Sequence, residues 1–324
     1  MKRILIIQTA FIGDVILATA LVEKLHQFYP ESQLDFLLRK GNEGLLENHP
    51  IIDNVLIWDK RDKKYGNLKV ISKSIKRTQY DAVINLQRFA STGLITVYSG
   101  AKHKIGFKKN PLSFSFTKKV EHKIGDGTHE VDRNQQLIAH LTDNIALNPK
   151  LHPSDKDFSD VEVYKKTNYM CMAPTSVWLT KQLPKEQWVK LADKTDDKTR
   201  VYLLGGPDDA AQCEAIKIAS KNKNLVNLAG KLSFLQSAAL MQTAQMNYVN
   251  DSAPLHIASA MNAPVTAYFC STVPSFGFGP LSDNQTIVEI NQKLSCRPCG
   301  LHGKKECPEK HFDCGFKIEF FKTH

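Results

Sequence analysis

Four short stretches of this chain place reactive or anion-binding side chains directly after an apolar run, where a strand hands over to a helix. The first is Phe11-Ile12-Gly13-Asp14. Gly13 permits a tight turn and close approach of a ligand. Asp14 is either a carboxylate stabilised at a helix N-terminus or a base that takes a proton from an acceptor hydroxyl. The second is APTSVWLTK, Ala173 to Lys181, with Ser176 among its small hydroxyl residues. Hydroxyls with an ammonium suit a diphosphate; the glycines of a P-loop are missing, and a plain surface loop has the same composition. The third, LGGPDD at Leu204–Asp209, puts two glycines before a helix start, either as a simple turn or to admit a nucleotide to the backbone. The fourth begins Asn250-Asp251-Ser252-Ala253-Pro254-Leu255-His256. Asp251 and Ser252 read as helix caps that aim N–H groups at an anion, with His256 one turn further along.

These stretches make sense only if the elements around them form parallel sheets. Apolar runs at Lys2–Gln8, Leu34–Leu38, Val55–Trp58, Ala82–Leu86 and Lys104–Phe107 read as buried strands. Helical spacing runs from Val15 to Tyr29, ends at Pro30, and recurs from about Val131 to Ala146. After a polar stretch near Leu151–Asp160 the rhythm restarts: strands at Tyr169–Ala173, Val201–Leu204, Leu225–Leu228, Tyr248–Asn250 and Val265–Phe269 alternate with helices at Lys185–Lys194, Asp208–Ser220, Phe234–Thr243 and Pro254–Met261. Two βαβα series predict two doubly wound α/β domains, residues 1–160 and 161–324, facing a cleft. In such sheets ligands sit at the carboxyl ends of the strands.

The chain has 324 residues, 42% hydrophobic and 23% charged, which excludes wholesale disorder. No run reaches the ~18 apolar residues of a membrane span. The start, MKRILIIQTAFIGDVILATA, breaks its apolar stretch at Gln8 and Asp14, so it reads as a first buried strand and not a signal peptide, and a cytoplasmic location is expected. The net charge of +10 is uneven: residues 1–150 hold 23 of 43 Lys+Arg but 15 of 33 Asp+Glu. That front half is either a solvated lysine-rich surface or a face for an anionic partner, be it phosphorylated lipid, membrane or nucleic acid.

The chain resembles family 9 glycosyltransferases, the ADP-heptose:lipopolysaccharide heptosyltransferases. The resemblance is carried by IGD and FYPESQLDFLL, INLQR ending at Arg88, SGAKHKIGF, HEVDRN, APTSVWLTKQLPKEQW, LLGGPDD, NLAGKLS, NDSAPLHIASAMNAPVTAYF and CRPCG…ECPEKHFDC. It spans essentially the whole chain and is slightly nearer the II-like members, on FYPESQLDFLL.

The resemblance implies a GT-B fold, with an acceptor domain followed by a nucleotide-sugar domain and the active site between them. It implies inverting transfer of L-glycero-D-manno-heptose from ADP to the lipopolysaccharide inner core, with no cofactor beyond the donor itself. Asp14 then matches the general base, and Lys181 the lysine on the donor phosphates with Ser176 nearby. Asp251, Ser252, Ala253 and His256 match the segment holding sugar and diphosphate, Leu232 the adenine contact, and Arg88 an acceptor contact. Two departures stand out: Ala253 replaces the usual glycine, and the proline common in the first helix is absent around Thr19–Ala20. The basic first half fits an anionic lipopolysaccharide acceptor and peripheral contact with the cytoplasmic face of the inner membrane.

Other readings stand beside this one. A same-family transferase could use another nucleotide sugar or acceptor. A nucleic-acid-binding α/β protein is disfavoured, because no such motif is present and the basic residues are not interleaved with aromatics. Cys296, Cys299, Cys307 and Cys314 form C-x2-C-x7-C-x6-C, either a structural zinc site or reduced thiols packed at a domain edge.

Overall fold

The structure, a computed structural model, describes residues 1–319. Two compact units are present: Met1–Ile124 with Thr128–His152, and Gly125–Gly127 with the chain from Pro153 onward. The second unit therefore starts eight residues before the 161 read from the sequence.

The first unit runs β1 (Arg3–Ile7), α1 (Ile12–Phe28), β2 (Gln33–Arg39), β3 (Ile52–Trp58), α2 (Lys64–Thr78), β4 (Ala82–Asn85), α3 (Ala90–Tyr98), β5 (His103–Phe107), β6 (Lys118–Val120) and α4 (Glu130–Ile138). All strand pairs are parallel, in the order β3-β2-β1-β4-β5-β6. Ile4–Ile7 are wholly buried, because a parallel strand is covered by helices on both faces and tolerates an unbroken apolar run. Leu5, Ile7, Leu37, Val83 and Trp58 pack with Leu68, Ile71 and Ile75 of α2 on one side of this sheet.

The second unit runs α5 (Asp155–Val161), β7 (Tyr169–Ala173), α6 (Lys185–Asp193), β8 (Arg200–Leu203), α7 (Ala210–Ala219), β9 (Leu225–Asn227), α8 (Phe234–Gln242), β10 (Asn247–Asn250), α9 (Ala253–Ala260), β11 (Val265–Phe269), β12 (Gln285–Glu289) and α10 (Asp313–Phe316). Its sheet, again parallel, has the order β12-β11-β10-β7-β8-β9. Numbered from its own first strand this is 3-2-1-4-5-6, the order of the first sheet and of doubly wound dinucleotide-binding folds. The expectation of two doubly wound α/β units is met. In each, the order reverses between the first and fourth strands, so a crevice for a ligand opens at the ends of β1 and β4, and of β7 and β10.

One element ends earlier than its spacing suggested. The helix read as reaching Ala146 stops at Ile138. There the Gln135 side chain donates to the Asp143 carbonyl at 2.6 Å, and the Asp143 carboxylate is drawn to the buried Lys24 Nζ of α1 at 2.7 Å. A buried ammonium needs that partner, so the chain turns back instead of winding on. Within α4, Glu130 is buried between Arg133 Nε at 2.7 Å and His122 Nε2 at 3.2 Å. Burial works against its charge, but these two partners hold its carboxyl below the usual range.

Candidate active site

On the first unit, the loop after β1 is fixed by its own amides. The Gln8 side chain accepts from Gln87 Nε2 and, at 3.2 Å, from the Ala10 N–H, and Asn42 Nδ2 donates to the Ala10 carbonyl at 3.1 Å. Gln8 follows β1 and Gln87 follows β4, so the switch point is cross-tied by the two residues that bound it. Asp14 sits in the first turn of α1, where its carboxylate accepts from the Phe11 N–H at 3.2 Å. The helix-terminus reading of Asp14 is thus correct as local structure. It also sets a partly exposed carboxylate beside the carboxyl end of β1.

Cations ring this position. Arg39, the last residue of β2, lies 5.1 Å above the Phe11 ring and feels both Asp14 and Arg61. Lys60 donates to the Thr9 carbonyl and hydroxyl at 2.8 and 2.9 Å and stands 4.7 Å over the Trp58 ring. Burial, with Arg39 and Lys64 nearby, pushes Lys60 down to about 8. A carboxylate with gathered cations suits a hydroxyl-bearing, negatively charged acceptor. Arg88 is exposed just beyond β4, stacked 5.6 Å from Phe89. Sequence reasoning missed Arg39; an arginine closing an apolar strand was the available signal.

On the second unit, the stretch after β7 and the stretch after β10 converge. Lys181 Nζ lies 2.8 Å from Asp251 Oδ2, with their side chains 16% and 7% exposed. Asp251 Oδ2 also accepts from the Thr272 hydroxyl at 2.6 Å. This corrects the capping role expected of Asp251 and Ser252. The Asp251 carboxylate turns to the lysine, and Ser252, although at the N-cap of α9, makes no capping bond, its hydroxyl instead donating to the Asn250 carbonyl at 3.4 Å. A nearby ammonium in a poorly solvated place outcompetes neutral N–H groups. Buried Asn250 ties the loops together, donating to the Ala173 carbonyl at 3.4 Å and accepting from the Leu183 N–H at 2.9 Å.

The lysine loop is braced by a distant segment. Thr180 exchanges backbone and hydroxyl bonds with Lys304, the Lys304 N–H reaching Thr180 Oγ1 at 2.7 Å and the Thr180 N–H reaching the Lys304 carbonyl at 3.1 Å. Gly303 has φ +75°, and a Cβ there would come within 2.8 Å of Lys181 Cγ. Only glycine both adopts that turn and leaves room for the lysine stem. Ser271 adds a 3.0 Å bond to Thr180 Oγ1, and the Cys299 N–H donates to the Ser271 carbonyl at 2.9 Å. Thr272 and Ser271 escaped the sequence reading, though small hydroxyls directly after β11 met the same after-strand criterion as Ser176.

Ser176 is partly exposed, its carbonyl held by Gln182 Nε2 at 2.7 Å. Leu232, also partly exposed, follows Gly230, whose N–H donates to the Gly205 carbonyl at 2.9 Å. The glycine stretch and the NLAGKLS stretch therefore form one ledge at the ends of β8 and β9. There Asp209 accepts from the Gly206 N–H at 2.7 Å. Ala253 opens α9 and is partly exposed, whereas His256 is 5% exposed within α9.

The four late cysteines are neighbours, but among the described residues no three of them bring donor atoms within 4.8 Å of one another. Burial pushes Cys314 up to about 12 and raises Cys299, each with the other thiols as neighbours. Cys296 Sγ is 3.9 Å from His311 Nε2. Among the described residues, the group of three or more donors that does lie within 4.8 Å of one another is Glu23, His49 and His152.

Two Rossmann-like units of one strand order, each presenting polar groups at its switch point, are the architecture of a GT-B fold. The chain belongs to glycosyltransferase family 9 (heptosyltransferase), whose description it matches over residues 69–312. It is 23% identical to lipopolysaccharide heptosyltransferase 1 of Campylobacter coli, covering 96% of this chain and 92% of that one. It is 27% identical to lipopolysaccharide heptosyltransferase 3 of Escherichia coli K12, covering 80% of each. Among solved structures, E. coli ADP-heptose lps heptosyltransferase II aligns with a TM-score of 0.79 at 20% identity, over 92% of this chain and 96% of that one. At that identity the structural likeness speaks for the fold. Relatives named heptosyltransferase 1, 2 and 3 all fall between 20 and 27% identity, so the likeness does not single out the II-like type.

Proposed function

We propose that this chain moves heptose from ADP-L-glycero-D-manno-heptose to the lipopolysaccharide inner core, with inversion. The observation that carries the reading is the Lys181–Asp251 pair at the switch point of the second unit. The carboxylate and the Thr180 brace hold an ammonium in a fixed place, ready to balance a diphosphate. Ser176 and the start of α9 supply further donors. Leu232, beside the glycine ledge, takes the adenine edge of the nucleotide. As the bond between the anomeric carbon and phosphate oxygen breaks, ADP leaves with the electron pair, and Lys181 and the α9 N–H groups offset the charge.

On the first unit, Asp14 accepts the proton of the acceptor hydroxyl while the oxygen of that hydroxyl bonds the anomeric carbon. A single displacement from the face opposite ADP inverts that carbon and needs no covalent sugar–enzyme intermediate. Arg39, Lys60 and Arg61, with Arg88 across the switch point, bind acceptor phosphate or carboxylate. A structural neighbour of this chain, E. coli heptosyltransferase WaaC, is known with ADP and with ADP-2-deoxy-2-fluoro heptose, which favours an ADP-sugar donor. The chemistry asks for no cofactor beyond that donor. No helix among the described residues is long and apolar enough to cross a membrane. The enzyme works in the cytoplasm, touching the anionic inner-membrane face through its basic half in a salt-sensitive way.

The test is transfer of label from ADP-heptose to truncated lipopolysaccharide cores, run beside GDP- and UDP-sugars. Turnover with ADP-heptose alone is expected. Turnover only with another nucleotide sugar would discard the heptose donor while leaving the family and Asp14 untouched.

A further inference from the structure

On the first unit, away from the residues assigned to transfer, three side chains from separate segments meet. Glu23 belongs to α1, His49 to the loop between β2 and β3, and His152 is the last residue of the unit. Their donor atoms all lie within 4.8 Å of one another. Glu23 Oε1 faces His152 Nε2 at 3.1 Å and Oε2 faces Lys150 Nζ at 3.3 Å. The His49 and His152 rings meet edge to face with centroids 4.4 Å apart.

His49 is the anomaly. It is 7% exposed, its Nδ1 accepts from the Ile51 N–H at 3.2 Å, and its Nε2 has no hydrogen-bond partner. A buried imidazole nitrogen left without a partner costs free energy, and a folded chain keeps such a group when something absent from the polypeptide satisfies it.

We propose that Glu23, His49 and His152 form a binding site for a divalent transition metal of the Zn2+ type. Two imidazoles and one carboxylate are a nitrogen–oxygen donor set suited to Zn2+, Co2+ or Ni2+ and poorly suited to Mg2+ or Ca2+. A small contraction of side chains brings these donors to the ~2.0–2.2 Å that zinc requires, leaving one position for water. Coordination through His49 Nε2 moves the ring proton to Nδ1 and exchanges the long bond from Ile51 for a metal bond. The largely exposed Lys150 keeps the second oxygen of Glu23. Asp14 stands nine residues earlier on α1, roughly 13 Å along the helix, so the ion is a staple and not a participant in transfer. It ties α1 and the β2–β3 loop to the point where the chain leaves the first unit.

The probe is Co2+, measured by equilibrium dialysis and visible absorption on the EDTA-treated full chain carrying Cys296→Ser, Cys299→Ser and Cys307→Ser, which leaves the late segment only the buried Cys314 thiol and so no multidentate thiolate site. One Co2+ per chain is expected, with ligand-field bands in the visible and no sulfur charge-transfer band. Adding His152→Ala, or separately Glu23→Gln, is expected to raise the Co2+ Kd at least tenfold while the protein still melts cooperatively. Zn2+ is expected to raise Tm in the parent and not in the His152→Ala variant. Absence of bound Co2+, or binding as tight in both added variants as in their parent, would overturn the proposal.

Discussion

Replacing Lys181 by alanine separates two roles of one ammonium. In the folded chain it neutralises Asp251, whose side chain is only 7% exposed, and in the proposed reaction it balances the donor diphosphate. Removing one partner of a buried pair typically costs ~3–5 kcal/mol, because the other charge stays behind without compensation. Lys181 is itself 16% exposed and Thr272 still donates to Asp251, so the low end, about 3 kcal/mol, applies. For a unit of this size that is a fall in Tm of roughly 6–12 °C. A charge-assisted hydrogen bond to phosphate contributes ~1.5–3 kcal/mol, so ADP should bind roughly 10- to 150-fold more weakly. The double variant Lys181→Ala/Asp251→Asn keeps an oxygen for Thr272 and leaves no buried charge. It should recover most of the lost Tm and none of the lost ADP affinity. Differential scanning calorimetry and ADP titration of the four members of this cycle give both quantities. The reasoning is refuted if Lys181→Ala melts and binds ADP like the parent, or if the double variant recovers affinity along with stability.

Asp14→Asn should abolish transfer while ADP titration stays unchanged and Tm drops only slightly, as expected for loss of one N-terminal carboxylate contact worth about 1 kcal/mol; near-normal turnover would remove Asp14 as the base. Lys60, lowered to about 8, should lose its charge as pH rises through that value, so affinity for an anionic acceptor should fall up to about tenfold from pH 7 to 9. Stability moves the other way: with its folded pKa below the unfolded one, neutral Lys60 is favoured in the fold and stability rises between about pH 8 and 10.5. Lys60→Arg should flatten the binding profile, which acceptor titrations across that range would show. Glu130→Ala leaves the Arg133 guanidinium, 3% exposed, without its carboxylate and should cost ~3–5 kcal/mol, read by urea denaturation; a loss under 1 kcal/mol would contradict the buried-pair account.

The alternation of apolar runs and helical spacing gave up the doubly wound plan readily, because strands such as Ile4–Ile7 sit between two helical layers and carry no polar residue. α2 was legible but unread: Leu68, Ile71 and Ile75 mark its buried face within an otherwise basic stretch. α3, ASTGLITVY, is rich in β-branched residues and advertises a strand. Its burial against α2 and β4 decides otherwise. Asp14, Lys181 and Asp251 stand out as candidates because they follow strands, and a strand's end is a local signal. What the local signal misjudged was the partner. An aspartate before a helix ordinarily caps it, and only the fold reveals a lysine from 70 positions earlier taking that carboxylate. Lys304 was invisible for the same reason, its role being set by a contact between distant segments, whereas Arg39 and Thr272 carried strand-end signals that went unread.

The brace on Thr180 has a consequence for how the enzyme is made. Its partner, Lys304, lies 124 residues downstream, and synthesis proceeds at about 5–20 residues per second. Some 6–25 s therefore pass after Lys181 is added to the nascent chain before the segment that holds its loop exists. The parallel sheet of the first unit, complete by Val120, can form on the ribosome long before then. The lysine loop gains its support only when the Gly303–Lys304 turn emerges, so the proposed donor ammonium is fixed in place well after the sheet of the first unit is complete.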